Sequence, residues 1–259
     1  MKRVYLKTDF QERIIFSCTQ WIKNNISSGR GGLLGIHGAP LSGKSIIINR
    51  IFRLNSIPLH STALLDMTTH AMFYNPCQAL LHSFRIPGDI ASWPRTVVIP
   101  KFLENYLRLS PLRAVLIDDF HLFKQFSAKD KNSFNSFIVR VSSPPYNISF
   151  VVAGNLASRE LQLYNWGQGK SKTIYFTSPL QTSDQVLYFA NGIIQSRNWN
   201  NNLVLSEEMA ADINKLTKGV LGEITKFLSL MYQEAIKQRA LTGVDLVNVS
   251  SQRYRPPDV

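Results

Sequence analysis

At 259 residues, with 44% hydrophobic and 18% charged side chains, the chain can bury a sizeable core and is too apolar to be an unfolded segment. Its 29 Lys+Arg against 17 Asp+Glu leave a formal net charge of +12, a balance that points to a polyanion, nucleic acid first among them. The 2 cysteines form no CxxC pair, charge follows the first methionine at once, and no apolar run reaches membrane-spanning length. The expectation is a cytoplasmic protein with no membrane partner and with Cys18 and Cys77 as reduced core thiols.

In chain order, Asp9 is a helix cap, followed by Ile14, Ile15, Cys18, Trp21 and Ile22 at helical spacing. The stretch 27–32 ends that helix, and the apolar run 33–36 predicts a buried strand. A second helix is predicted over 44–54 and a second strand over 63–67. Asn75 caps a helix through Phe84, and residues 101–109 form another. Residues 112–117 are the strongest strand, closed by Asp118 and Asp119. Helical spacing returns from Phe123 to Val141 until Pro144 and Pro145 break it. Strands follow over 148–153 and 173–176. Alternation of this kind means a parallel sheet covered by helices on both faces. Beyond Pro179 the pattern is all-helical, over 183–196, 206–216 and 220–239. The expected organisation is a nucleotide-binding α/β domain over 1–179, a helical lid over 180–240 and a loosely ordered C-terminal tail over 241–259.

Between the first strand and the next helix lies Gly38-Ala39-Pro40-Leu41-Ser42-Gly43-Lys44-Ser45, a full match to G-x-x-x-x-G-K-S/T in its required setting. Two glycines let the backbone wrap a phosphate with its N–H groups inward, and the helix start adds positive potential. Lys44 would reach the β- and γ-phosphates of ATP, and the Ser45 hydroxyl would ligate Mg²⁺. Asp118, ending a buried strand, would order the same Mg²⁺ through water. Asp119 occupies the place of the residue that activates the attacking water, one methylene shorter than the usual Glu; the other reading is a simple turn cap. Asn155, the polar amide that closes Val151-Val152-Ala153-Gly154-Asn155 at the end of the strand 148–153, could bind that water or the γ-phosphate. The five histidines show no ligand spacing, although His37 abuts the loop and His121 follows the acidic pair. This strand order with a helical appendage resembles an AAA+ ATPase rather than a Ras-like or kinase-like P-loop protein.

Within that class the chain resembles the TniB/TnsC regulators of DNA transposition, with MuB a looser relative. The resemblance runs from about residue 9 to about residue 240 and rests on "FYNPCQALLHSFRIP", "VLIDDFHLF", "AGNLASRELQ" and "LTKGVLGEITKFLSLMYQEAIKQRA". It implies a Mg·ATP-dependent ATPase that assembles with itself, as a ring or helical filament, on double-stranded DNA. It also implies a TniQ-like target selector and a transposase as partners. The family meets DNA between the glycine loop and the acidic pair and again just after that pair. Lys101, Lys124, Lys129 and Lys131 stand there in this sequence, with Arg85 and Arg95 beside them. Lys124, Lys129 and Lys131 lie off the apolar stripe and are expected to be exposed. Asp119 departs from the family's usual Glu, and two further features depart as well. The stretch 167–172 lacks an arginine finger, for which Arg159, Lys170 or Lys172 would substitute, and Thr225 and Lys226 stand near the place of a sensor-2 arginine. These departures predict slow hydrolysis.

Two rivals bear on function. A STAND-type nucleotide switch would act through protein contacts without DNA, and the positive charge argues against it. An origin-recognition or helicase-loader ATPase would carry a winged-helix domain after the lid, for which the residues beyond 240 are expected to be too few.

Overall fold

The computed structural model describes residues 8–54, 57, 61–68, 76–84, 101–155, 173–199, 203–237 and 244–255. The expected cap Asn75, His60, His70, Arg85, Arg95, Arg159, Lys170 and Lys172 lie outside them, as does the side chain of Cys77. The described chain divides into two compact units. One comprises residues 12–39 and 44–176; the other comprises 1–11, 40–43 and 177–259.

The first unit is built on five parallel strands, β1 (Gly32–His37), β2 (Thr62–Asp66), β3 (Ala114–Asp118), β4 (Ser149–Gly154) and β5 (Thr173–Phe176), in the order β2-β3-β4-β1-β5. Every residue of β3 and β4 is buried, which is why both read as unbroken apolar runs rather than alternating ones. Helix α1 (Asp9–Ser27) precedes β1, α2 (Lys44–Arg53) follows it, and α2 packs against β2, β3 and β4. Helices α3 (Pro76–Ser83), α4 (Lys101–Leu109) and α5 (Ala128–Val141) supply Leu80, Leu103, Leu107, Phe134 and Ile138 to one core with Leu33, Val115, Ile117, Phe150 and Val152 of the sheet.

Three local expectations differ from the fold. The cap of α1 is Thr8, whose Oγ1 accepts the Gln11 N–H at 3.3 Å; Asp9 is the first helical residue. The helix expected from Phe123 to Val141 is two elements, a 3-10 helix over Phe120–Gln125 and then α5. The break falls at Ser127, whose side chain accepts from the Asp130 N–H and restarts the helix. The tail expected to be loosely ordered contains a helix over Val244–Arg253.

The second unit has its own apolar core. Helices α6 (Ser183–Ser196), α7 (Glu207–Thr217), α8 (Leu221–Lys237) and α9 (Val244–Arg253) pack around Phe189, Met209, Ile213, Ile224, Phe227 and Met231. Thr182 and Gln185 close a reciprocal capping box at α6, and Ser206 caps α7. The C-terminal helix α9 adds Leu246, Val247 and, just past its end, Tyr254 to this core. That burial is what orders the segment.

Candidate functional site

The parallel order brings three sequence candidates to the carboxyl ends of neighbouring strands, where open α/β sheets receive ligands. His37 at the end of β1 pairs in register with Gly154 at the end of β4, so the phosphate loop leaves the sheet beside Asn155, which is exposed. On the far side of β4, Asp118 ends β3.

Lys44 opens α2 and is buried, only 7% exposed. Its Nζ donates to the carbonyl of Gly38 at 2.9 Å and to that of Ala39 at 2.6 Å, so the ammonium is held against the first residues of its own loop. Burial pulls its pKa down, while the charges of Asp118 and Asp119 push it back up. Asp118 shows the converse: burial raises its pKa, opposed by a hydrogen bond with the Ser45 side chain. The Asp118 Oδ1 also accepts the Asp119 N–H at 2.9 Å. Ser45 and Asp118, the two expected Mg²⁺ ligands, are thus close enough to interact.

Asp119 has φ 52 and ψ 35, the left-handed region, and precedes the 3-10 helix without any side-chain capping hydrogen bond. Its carbonyl accepts the Leu122 N–H at 2.9 Å, so the residue caps this turn through its backbone and leaves the carboxylate out of the cap. Its Oδ1 lies 3.9 Å from His121 Nδ1, an atom that is buried without a hydrogen-bond partner. His37 is half-buried; its pKa is lowered, chiefly by burial and further by the charge of Lys44.

Residues 40–43 of the loop belong to the second unit, and three contacts there fix them. The Leu41 carbonyl accepts the Gly222 N–H at 3.0 Å, and Thr177 Oγ1 donates to Ser42 Oγ at 2.6 Å. Gly43 has φ +91, a backbone conformation that favours glycine, and a Cβ built on it would press on the Gln11 side-chain amide, which would have to move.

Sequence reading missed Asp66, Gln11 and Thr177, and the contact that Gly222 makes with the loop. Asp66 ends β2 level with Asp118 and raises that residue's pKa through its charge. An acid closing an apolar strand was a readable signal. Gln11 was readable too, since it lies four residues before Ile15 on the buried stripe and is 1% exposed. Gly222 stands in the Gly-x-x-Gly-Glu-Ile entry to the long helix, within the last of the family-like segments, but nothing local gave its contact. Nothing local marked Thr177 either, and both matter through contacts more than a hundred residues away.

Of the DNA-contact candidates, Lys101 at the start of α4, Lys124 on the 3-10 helix and Lys129 on α5 are exposed. Lys131 is only partly exposed, against expectation. With α5 restarting at Ser127, Lys131 falls three residues before Phe134 and seven before Ile138, beside the buried stripe.

No protein-family model matches the chain, and no curated protein matches it. Solved structures do. The Aeropyrum pernix ORC2 protein, solved in ADPNP–ADP complexes, superposes with a TM-score of 0.65 at 14% identity, covering 100% of this chain and 72% of that one. Cdc6p from Pyrobaculum aerophilum gives 0.61 at 15% identity over 97% and 69%. Drosophila ORC, solved bound to DNA, gives 0.62 at 14% identity over 93% of this chain and 59% of that one. The chain has the AAA+ fold of ORC- and Cdc6-type ATPases, a parallel sheet surrounded by helices.

Proposed function

We propose that the protein is a Mg·ATP-dependent AAA+ ATPase that assembles on duplex DNA without reading its sequence. In this reading it acts in DNA transposition as the link between a target-selecting factor and a transposase. The observation that carries the nucleotide part is the buried Lys44 ammonium at the head of α2, next in the chain to Ser45, whose side chain holds down the pKa of Asp118. A buried lysine bound to backbone carbonyls can exchange them for phosphate oxygens, which are stronger acceptors.

A hydroxyl and a carboxylate close together are hard oxygen donors suited to Mg²⁺, which keeps most of its waters and takes few protein ligands. Ser45 and Asp118 would hold that ion, and its charge would offset that of the terminal phosphates. Asp119, whose carboxylate makes no capping bond, accepts a proton from the attacking water, and Asn155 orients that water or the γ-phosphate. The expected slow turnover follows from the short reach of the Asp119 carboxylate and from the missing finger and sensor arginines. A partner, in this reading the transposase, would set the lifetime of the assembly.

For DNA, the support is the net charge of +12 and the exposed lysines 101, 124 and 129. Contacts of that type grip phosphates and leave sequence unread, which suits a protein whose site is chosen by another factor. The transposition role rests on the sequence segments that resemble the TniB/TnsC group. The likeness of fold to ORC and Cdc6p favours one rival, an origin-recognition or loader ATPase. Electron micrographs with a non-hydrolysable ATP analogue and unrelated duplexes separate the two. Rings or filaments that coat any duplex, and whose disassembly a cognate transposase accelerates, support the proposal. Binding confined to one sequence supports the rival.

A further inference from the structure

The phosphate loop is supported from outside by the first turn of α8. Leu41 sits at φ 62, an uncommon conformation for a residue with a Cβ, so the loop needs an external contact to persist there. That contact is the Gly222 N–H donating to the Leu41 carbonyl at 3.0 Å. A Cβ on Gly222 would lie 2.5 Å from the Leu41 Cβ, so the approach is open to glycine alone. Leu221, one residue earlier, places Cδ1 3.3 Å from where a Cβ on Gly43 would be.

The next residue of that turn is Glu223, a carboxylate only 2% exposed. A buried charge of this kind is tolerated only with partners. Its Oε1 accepts from Lys226 Nζ at 2.7 Å and its Oε2 from the Tyr254 hydroxyl at 2.8 Å. Tyr254 is itself buried, packed edge-on to Phe227 with ring centroids 5.3 Å apart. Its neighbour Arg253 instead pairs with Glu234, 11 residues further along α8. The C-terminal segment thus holds α8 at two separate places, and only one of them adjoins the loop.

We infer that Tyr254 is a positioning residue for nucleotide binding: through Glu223 it fixes the first turn of α8, and through Gly222 and Leu41 that turn fixes the phosphate loop. This rests on the reading of the loop as an ATP site. Arg253 provides an internal control, since it ties the same two helices without reaching that turn.

The test uses the full chain and a fluorescent ATP analogue with Mg²⁺, with thermal melting alongside. Tyr254→Phe should weaken nucleotide binding by about tenfold or more, the loss of one buried hydrogen bond to a charged group. Arg253→Gln should lower the melting temperature comparably and leave the affinity unchanged. Glu223→Gln, which keeps an acceptor for Tyr254, should stay within about twofold of the wild type. In a Gly222→Ala background, Tyr254→Phe should weaken binding no further, because the path is already cut. Equal affinities for Tyr254→Phe and wild type would overturn the inference, as would equal losses for Tyr254→Phe and Arg253→Gln. A wild-type chain that fails to bind the analogue would overturn the ATP reading itself, and this inference with it.

Discussion

Asp118 and Asp119 are consecutive carboxylates in opposite circumstances. Asp118 is 4% exposed at the end of β3, and burial raises its pKa. A carboxyl whose folded pKa lies above its unfolded value costs stability when ionised. That cost is absent below the unfolded pKa and complete above the folded one. Asp118→Asn should therefore melt higher than the wild type at pH 7 without nucleotide, and the gain should vanish toward about pH 4, where the wild-type carboxyl is protonated. A gain independent of pH would point to packing rather than charge. Asp119 stands half-exposed in the left-handed region, where Asp is tolerated better than longer side chains. This gives a backbone reason for Asp rather than Glu at this position. Asp119→Asn should bind ATP like the wild type and hydrolyse it at least about a hundredfold more slowly, as loss of a general base predicts. Asp119→Glu should speed turnover while lowering the melting temperature. Unchanged hydrolysis in Asp119→Asn would place the base elsewhere.

The strands were readable because each is a continuous apolar run closed by a polar residue, as in Val115-Leu116-Ile117-Asp118. The phosphate loop was readable because its glycines, Lys44 and Ser45 carry their chemistry in eight adjacent positions. What escaped was set by distance or by a single polar side chain. Ser127 splits one expected helix into two, and α9 is ordered by Leu246, Val247 and Tyr254 entering a core made mostly by α6–α8. Ser127→Ala should cost about 1 kcal/mol in urea denaturation, the value of a lost N-cap. The same split decides which lysines face outward. Replacing Lys101, Lys124 and Lys129 together with Gln should flatten the salt dependence of DNA binding, by close to one unit of log–log slope for each phosphate no longer neutralised. An unchanged slope would move the DNA path to another face.

For the molecule as a whole, the proposal joins three properties: a nucleotide site at the carboxyl edge of the sheet, a net charge of +12, and assembly on DNA. They form one account only if nucleotide controls the encounter with DNA. The most direct measurement is fluorescence anisotropy of short labelled duplexes of unrelated sequence, titrated with the wild type and with Lys44→Ala, with and without Mg·ATP. The account predicts tight binding by the wild type only with ATP, equal for all duplexes, steeply weakened by salt, and abolished in Lys44→Ala. Binding that ignores ATP, or that Lys44→Ala retains in full, would contradict it.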